Sequence, residues 1–424
     1  MPKIKAENRI GSDKGNMFFE RFFTIGFFVL IVGYYIFHDT RSLMTASVGF
    51  GLITGALLTL NNLKASKVKL PLGAFWYFLF FVYSEASSMW SIRPLFSAQY
   101  YLVVMILIIL LSFFMSQYVF VVSDAENLLK AFIYSVLFIS IIQLVFTPVD
   151  EITAGFLGSH IGGNNPNTFG YINMFSAIIS FYFAYIKSKN KYYWLVAVFL
   201  IFSFLSSSRK AISMSLAGIM LLILFAIKRR HHLLHFAILC VVTVFSLILI
   251  IEVDFLFDIV GNRFATLITF IRFGPVEGGR GSLEMRSYFI EFAKILFHEK
   301  PIAGHGLACF SILLGTESNA GIAVYAHNNF WEILADLGIL GFIIYYWFYA
   351  FLIIKSIIKI FQKNNSSTIH ILVLTIVVTE LILEFGVVSM TSFYPQVIMA
   401  LAYLCSSASN SKRKFHYSPN QVKG

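Results

Sequence analysis

Long apolar runs, separated by short polar segments, constrain the fold of this chain more than any other feature. Several approach the roughly 20 apolar residues that carry a helix across a bilayer. Because every backbone polar group inside a bilayer must be satisfied within its own segment, each run is a predicted helix. The twelve candidate spans lie at about 18–37, 43–60, 71–84, 99–120, 129–147, 168–186, 192–207, 211–227, 233–251, 331–354, 369–388 and 393–407.

With 58% hydrophobic and 12% charged residues, the composition predicts an all-α, polytopic membrane protein of about 12 transmembrane helices. We expect one membrane domain over residues 1–424. Residues 1–16 are polar and no small-residue cleavage site follows the first apolar run, so the first span should stay in place. The net charge of +11 does not indicate nucleic acid, because the basic residues lie in short loops. The three cysteines are scattered, without metal-ligand spacing.

The distribution of Lys and Arg predicts the orientation of the spans. With the N-terminus in the cytoplasm, 22 of the 32 basic residues fall on the cytoplasmic side and 10 on the outer side. Six of those ten lie in one loop at about 252–330, which no other loop between spans approaches in length. Since cytoplasmic loops are enriched in Lys and Arg, we expect both termini in the cytoplasm and the long loop outside.

A short amphipathic helix is predicted inside the long loop. Ser282 is a suitable N-cap, and Pro301 would stop the helix after about Glu299. At about 100° per residue, one face collects Met285, Phe289, Phe292, Ala293 and Leu296. Arg286 falls within this apolar arc, where a solvated charge is not expected, so its guanidinium should face a carboxylate or an anionic ligand.

Two more polar segments lie on the same predicted side of the membrane. Arg209 and Lys210 stand at the outer junction of two spans, where snorkelling or anion binding would account for them equally well. Asn328 is a suitable N-cap for the tenth span, and a helix N-terminus favours anions. His327 alone would be an interfacial histidine. Together with Arg209 and Arg286 on the same side, we interpret it as functional.

Carboxylates suggest alternative sites. Glu380 and Glu384 lie four residues apart on one face of the eleventh span, where buried carboxylates are costly and usually functional. Glu384 would balance Arg209, whereas Glu380 would equally suit proton coupling in a transporter. Three acids at 252–258 would suit a divalent cation. Such acids are common in loops without metal, so no metal site is predicted.

The polar motifs form an ordered set. It runs Trp90-Ser91, Asn165-Pro166-Asn167, Ser208-Arg209-Lys210, Arg286, Pro301-x-x-Gly304-x-Gly306, His327-Asn328-Asn329 and Asp336-x-Gly338-x-x-Gly341. In this order, on about twelve spans with a long loop after the ninth, the set resembles the signature region of the O-antigen ligase and polymerase superfamily. The resemblance covers most of the chain, from about residue 80 to about residue 390.

The resemblance implies a metal-independent glycosyltransferase on the outer face of the bacterial cytoplasmic (inner) membrane, with no cofactor. The implied donor is an oligosaccharide on undecaprenyl diphosphate, and the acceptor is a glycan hydroxyl. Membrane lipids and other polysaccharide assembly proteins are further implied partners.

The resemblance also implies roles for individual residues. Arg209 and Arg286 would hold the diphosphate, Arg280 in its Gly-Gly-Arg-Gly turn would be a third cation, and His327 would take the acceptor proton. The remaining candidates for substrate binding are Lys210, Asn328 and Glu384. The chemistry suits these residues, because imidazole titrates near neutral pH and guanidinium stabilises a departing diphosphate.

The acceptor divides this superfamily into branches. A polymerase extends another lipid-linked repeat, an O-antigen ligase modifies lipid A core, and relatives modify protein. Ligases often carry extra basic residues for core phosphates, whereas this long loop holds six Lys or Arg beside at least six acids. The Ser-Arg-Lys-Ala and Ala-His-Asn-Asn segments are also more similar to capsule or exopolysaccharide polymerases, so we favour a polymerase. The alternative of another class is a polysaccharide flippase, which would be expected to show internal repeats and charge within several spans.

The orientation can be tested with single cysteines in a cysteine-free background. A membrane-impermeant thiol reagent, added to intact cells or spheroplasts, should label positions within 252–330 and leave positions within 64–69 unlabelled. Labelling of both segments after permeabilisation is the control. The reverse pattern in intact cells would refute both the orientation and the location of the site.

Overall fold

The computed structural model describes residues 2–64, 68–122, 125–153, 155–226, 282–317, 323–362 and 367–411. All regular structure in these ranges is helical, and they contain no β-strand. Six of the described helices are long and apolar enough to cross a membrane, and three shorter apolar helices accompany them. The predicted all-helical membrane protein is confirmed, whereas the total of about twelve crossings stays a prediction.

The helices are α1 (Pro2–Ile36), α2 (Arg41–Lys64), α3 (Leu72–Ala86), α4 (Pro94–Tyr100), α5 (Leu102–Val122), α6 (Glu126–Phe146), α7 (Val149–Thr153), α8 (Pro166–Phe181), α9 (Tyr192–Leu205), α10 (Arg209–Phe225), α11 (Ser282–Glu299), α12 (Cys309–Glu317), α13 (Asn329–Phe361), α14 (Ser367–Leu383) and α15 (Phe393–Ser411). A 3₁₀ turn (Ser87–Trp90) follows α3, and a π-helical segment (Tyr182–Ile186) extends α8.

Eleven of the twelve predicted spans coincide with these helices, and the ninth, at 233–251, lies outside the described residues. Asn165 caps α8. Its side-chain oxygen accepts the Asn167 amide at 2.8 Å, and Pro166 occupies the first turn. A proline there costs no hydrogen bond and has a helical φ, so the residue before it serves as the cap.

The two ends of the bundle differ in charge. At one end, Lys130, Lys187 and Lys189 surround the single carboxylate of Glu126, with N–O distances of 3.7, 2.7 and 3.4 Å. These lysines belong to the predicted cytoplasmic set. The opposite end, which we call the site end, gathers the end of α1 and the starts of α8, α10, α13 and α15 around one cavity.

Helix α11 lies at the site end with the bounds and the face that the sequence predicted. Phe289, Ala293 and Leu296 are buried, and they form a small core with residues of α12 and with Ala335 of α13. The opposite face carries Glu291, whose side chain is 66% exposed. The described part of the long loop is therefore packed on the start of α13.

The segment that follows α11 packs against a break in α13. Gly338 has φ +63° in the middle of the helix, so the regular ladder of backbone hydrogen bonds is interrupted there. The amide of Ile339 donates to the carbonyl of Pro301 at 2.9 Å, and the amide of His305 donates to the carbonyl of Ala335 at 3.0 Å. The loop thus supplies partners for the backbone that the kink exposes.

This docking requires two glycines of the motif. A Cβ at Gly338 would lie 2.3 Å from the carbonyl oxygen of Ile302, and one at Gly304 would lie 2.3 Å from that of Asp336. Both glycines also have positive φ, which side chains rarely adopt. Glycine is therefore the residue that lets the two backbones meet.

The carboxylate of Asp336 fastens the same segment from the other side. Its Oδ2 accepts the amide of Ala308 at 2.8 Å, and its Oδ1 accepts the amide of Phe310 at 2.6 Å. All three residues are buried. A carboxylate that accepts backbone amides in this way forms strong, charge-assisted hydrogen bonds. We call the contacts of Asp336, Gly304 and Gly338 the loop latch.

Replacing Asp336 with Ala should destabilise the loop latch. Two buried amides would lose their acceptor, and each unsatisfied group costs about 1–3 kcal/mol. We expect a lower melting temperature of the detergent-purified protein and faster proteolysis within 282–317. Glu291→Ala, which removes an exposed acid from the same segment, should leave both unchanged. Wild-type melting and proteolysis of Asp336→Ala would show that the latch is dispensable.

Candidate active site

The start of α13 holds His327 at the site end. Asn328 is the N-cap, as predicted, and its side-chain oxygen accepts the amide of Trp331 at 3.1 Å. Glu332 reaches back from the first turn, and its carboxylate accepts the amide of Ala326 at 2.6 Å. The residues on both sides of His327 are thereby fixed. His327 itself has φ +56°, a left-handed conformation that a non-glycine side chain adopts only when its surroundings hold it there.

Aromatic rings orient the imidazole. The ring of Tyr325 lies 4.2 Å from it between centroids, and the ring of Phe289 lies nearly parallel to it at 6.2 Å. Phe289 belongs to α11, and Arg286 lies one helical turn before it. Packing of α11 on α13 therefore brings the predicted histidine and the predicted arginine to one place.

A cavity of about 510 Å³ lies beside these side chains. Arg286, His327 and Lys210 all line it, so the structure brings together three of the residues predicted from sequence. Residues of the α1 end, of the segment before α8 and of 386–395 complete its wall. Within the part of the chain that the structure describes, no Asp or Glu lines it.

Lys210 reaches the cavity from the start of α10. Ser208 is the N-cap of this helix, and Arg209 and Lys210 are its first two residues. The ammonium of Lys210 donates to the carbonyl of Gly386, which follows α14. Arg209 is half-buried and is not among the cavity-lining residues, although its charge acts on Lys210. It therefore contributes to the positive field around the cavity.

Positive charge in this cavity is not balanced by a protein carboxylate within the described ranges. Arg286 is half-buried, and no Asp or Glu of the described residues pairs with it. Burial and then the charges of Arg286 and Lys210 lower the pKa of His327 to about 4. The imidazole is therefore neutral at pH 7 and able to accept a proton. Burial and then the charges of Arg286 and Arg209 lower the pKa of Lys210 to about 7, so among the described residues Arg286 is the permanent cation of the cavity. An anion bound there would also favour the ammonium form of Lys210.

Glu384 has a different environment from the one predicted. It is buried, does not line the cavity, and takes hydrogen bonds from hydroxyl groups: Tyr346 at 2.8 Å, Tyr349 at 3.0 Å and Ser389. Its backbone carbonyl accepts the amide of Asn329 at 2.9 Å. These contacts join α14 to α13. A direct part in substrate binding stays a prediction for Glu384, as it does for the buried cap Asn328.

Asn329 links the start of α13 to the loop after α14, a contact that was not predicted from the sequence. Its side-chain oxygen accepts the amides of Ser389 and Met390 at 3.0 and 3.1 Å, and its amide group donates to Tyr346 at 2.9 Å. The loop that carries Gly386, the partner of Lys210, is thus anchored to the residue two positions after His327. The sequence identified Asn329 only as part of the His327-Asn328-Asn329 motif and indicated no role for it.

Other residues of the wall were missed from the sequence as site residues, among them Tyr34, His38, Asn164 and Tyr171. They lie in segments whose apolar or turn-forming pattern predicts structure and not chemistry. Tyr171 also donates to the buried carboxylate of Glu380 at 2.6 Å, which ties that predicted residue to the cavity wall.

Some predicted residues cannot be placed. Arg280 and the acids at 252–258 lie outside the described residues. Among the residues that the structure describes, no group of three or more His, Cys, Asp and Glu side chains could hold a metal ion.

The fold and the cavity define an integral membrane protein with a cavity at one end of a helical bundle, lined by Arg286, Lys210 and a neutral histidine. Residues 194–346, which are 153 of the 424, match the family model described as O-antigen ligase. The match includes Arg209, Lys210, Arg286 and His327, and it confirms the resemblance to the O-antigen ligase and polymerase superfamily. Members of this family are glycosyltransferase-like enzymes. No curated protein matches the chain.

The lowered pKa of His327 predicts a specific pH dependence of catalysis. In the free protein the imidazole loses its proton near pH 4 instead of 6.5, so the ascending limb of kcat/KM should lie near pH 4. A bound anionic donor stabilises the imidazolium, so the limb of kcat should lie at higher pH. Both profiles can be measured in detergent with lipid-linked repeats as substrate. Limbs that coincide near pH 6.5 would contradict the account.

Proposed function

We propose that this protein is a polysaccharide polymerase that joins glycan repeats linked to undecaprenyl diphosphate. The observation that supports this most is the meeting of His327, Arg286 and Lys210 on one cavity, which no Asp or Glu of the described residues lines. A diphosphate carries two negative charges and many acceptor oxygens, which suit the fork of donors on Arg and the point charge of Lys. The family match supports a lipid-linked glycan as the substrate.

The proposed reaction is attack of an acceptor hydroxyl on the anomeric carbon of the donor sugar. His327 accepts the proton of the hydroxyl, and the oxygen forms the new bond to the anomeric carbon. The bond from that carbon to the diphosphate oxygen breaks, and the diphosphate leaves with the electron pair. Its negative charge grows in the transition state, so fixed guanidinium and ammonium groups beside it lower the barrier. The proton then passes from His327 to water.

A base beside cationic neighbours can take up a proton only if their charge is offset, and the anionic donor would offset it. In the empty cavity Arg286 and Lys210 disfavour the imidazolium. Once the diphosphate is bound, its charge offsets theirs, and the basicity of His327 rises when the acceptor hydroxyl must be deprotonated. Donor binding would thereby activate the base. We place this site on the outer face of the cytoplasmic membrane, following the Lys and Arg distribution.

An O-antigen ligase is the second candidate, because the matching family model carries that description. Both reactions use the same donor and the same chemistry at the anomeric carbon. They differ in the acceptor, which is another lipid-linked repeat for a polymerase and lipid A core for a ligase. The long loop holds six Lys or Arg beside at least six acids, and this lack of excess positive charge favours the lipid-linked repeat over the phosphorylated core.

Purified protein supplied with defined acceptors tests the proposal. Lipid-linked single repeats, extracted from cells that lack this protein, should be joined into longer chains. Transfer to lipid A core with no growth on repeats would instead identify a ligase. Movement of repeats across proteoliposomes without a new glycosidic bond would identify a flippase and refute the proposed chemistry.

Substitutions assign the roles in the same assay. His327→Ala should lower turnover by about 10²–10⁴-fold, the usual effect of removing a general base. Arg286→Lys should lower it by about tenfold or more, because an ammonium cannot reproduce the bidentate fork. His298→Ala and Lys294→Ala, on the exposed face of α11, are matched controls and should turn over normally. Wild-type turnover by His327→Ala would remove it from the mechanism.

A further inference from the structure

A second cavity, of about 440 Å³, lies at the site end beside the first. Its walls come from the turn after α1, the start of α2, the end of α6 and the loop before α8. Three polar side chains line it, Asp39, Thr40 and His160, together with the rings of Phe37 and Phe146.

The two cavities share a wall. In the turn after α1, His38 lines the first cavity and the next residue, Asp39, lines the second. In the loop before α8, Gly162 lines the second cavity and Asn164 lines the first. The wall is therefore only one turn and one loop thick. A ligand that extends from the first cavity across this wall enters the second.

Hydrogen bonds hold the wall together. The amide group of Asn164 donates to the carbonyl of Tyr35 at 2.7 Å, and the hydroxyl of Tyr35 donates to the carbonyl of Gly158 at 2.8 Å. Gly163 has φ +52°, and a Cβ there would lie 2.2 Å from a carboxylate oxygen of Asp39. The turn after α1 thus brings the Asp39 carboxylate against the backbone of the loop at Gly163.

The polar groups of the second cavity are available to a ligand. Within the described ranges, the Asp39 carboxylate has no ion-pair or hydrogen-bond partner, and its side chain is exposed. His160 contacts Glu151 through Nδ1 at 3.1 Å, which leaves its Nε2 edge for the cavity. A carboxylate, an imidazole and a hydroxyl beside aromatic rings are the groups that bind sugar hydroxyls and the apolar faces of sugar rings.

The charges of the two cavities differ in sign. Arg286 and Lys210 make the first cavity attractive to a diphosphate, whereas Asp39 makes the second unattractive to one. We infer that the second cavity is a subsite for the uncharged sugars of the acceptor glycan, whose reactive hydroxyl extends over the shared wall to His327. This inference rests on the proposed function and names the place where the acceptor is held.

Direct binding of the acceptor sugars separates this inference from catalysis. The probe is the free repeat oligosaccharide, released from extracted lipid-linked repeats by mild acid, which removes the diphosphate. Saturation-transfer NMR titrations with the purified protein should show binding. Asp39→Asn and His160→Gln should each weaken it by about tenfold, the effect expected for one hydrogen bond to a charged or strongly polar group. Arg286→Ala should leave it unchanged.

Asp150→Asn is the matched control, since Asp150 is an exposed acid at the start of α7 that lines neither cavity. It should bind the oligosaccharide like wild type. If wild type does not bind the oligosaccharide, or if Asp39→Asn and His160→Gln bind it as wild type does, the second cavity is not the acceptor subsite. Failure of the proposed function would appear separately, as wild-type protein that forms no glycosidic bond from lipid-linked repeats.

Discussion

The site depends on the docking of a polar loop onto a broken transmembrane helix. Gly338 opens α13, the segment after α11 supplies the missing backbone partners, and Asp336 accepts two amides of that segment. Because each of these groups is buried, each would be costly without its partner. The same docking packs Phe289 of α11 against His327 and so brings Arg286 to the cavity. The loop latch and the candidate site thus depend on the same packing, which explains why their residues alternate along the sequence.

The charges around the cavity determine which chemistry the site can support. Several cationic side chains gather at a half-buried cavity, and the described residues that line it offer them no carboxylate. The arrangement is unfavourable in isolation and becomes favourable when an anion binds, so the missing charge is expected from the ligand. The neutral state of His327 follows from burial first and then from the same field. Under the proposed function, such a site would keep His327 unprotonated until the anionic donor binds and would then raise its basicity.

Much of the fold followed from local patterns. Apolar runs located eleven helices, and the period of α11 correctly placed Arg286 at its packed face. The cap at Asn328 was also visible, because capping is a local property. Contacts that depend on tertiary packing could not be predicted from the sequence. Nothing in the sequence near Asn329 indicates that it anchors the loop of Ser389. The sequence suggested that Glu384 balances Arg209, but four hydroxyl groups from two segments surround its carboxylate.

Binding of a lipid diphosphate tests the central claim most directly. Farnesyl diphosphate and farnesyl monophosphate, titrated into the purified protein, isolate the anion from the sugar and from turnover. The account predicts tighter binding of the diphosphate, about tenfold or more weakening by Arg286→Ala, and little change in His327→Ala, since a neutral base contributes little to holding an anion. Equal binding by wild type and Arg286→Ala, or equal losses in both variants, would contradict the account.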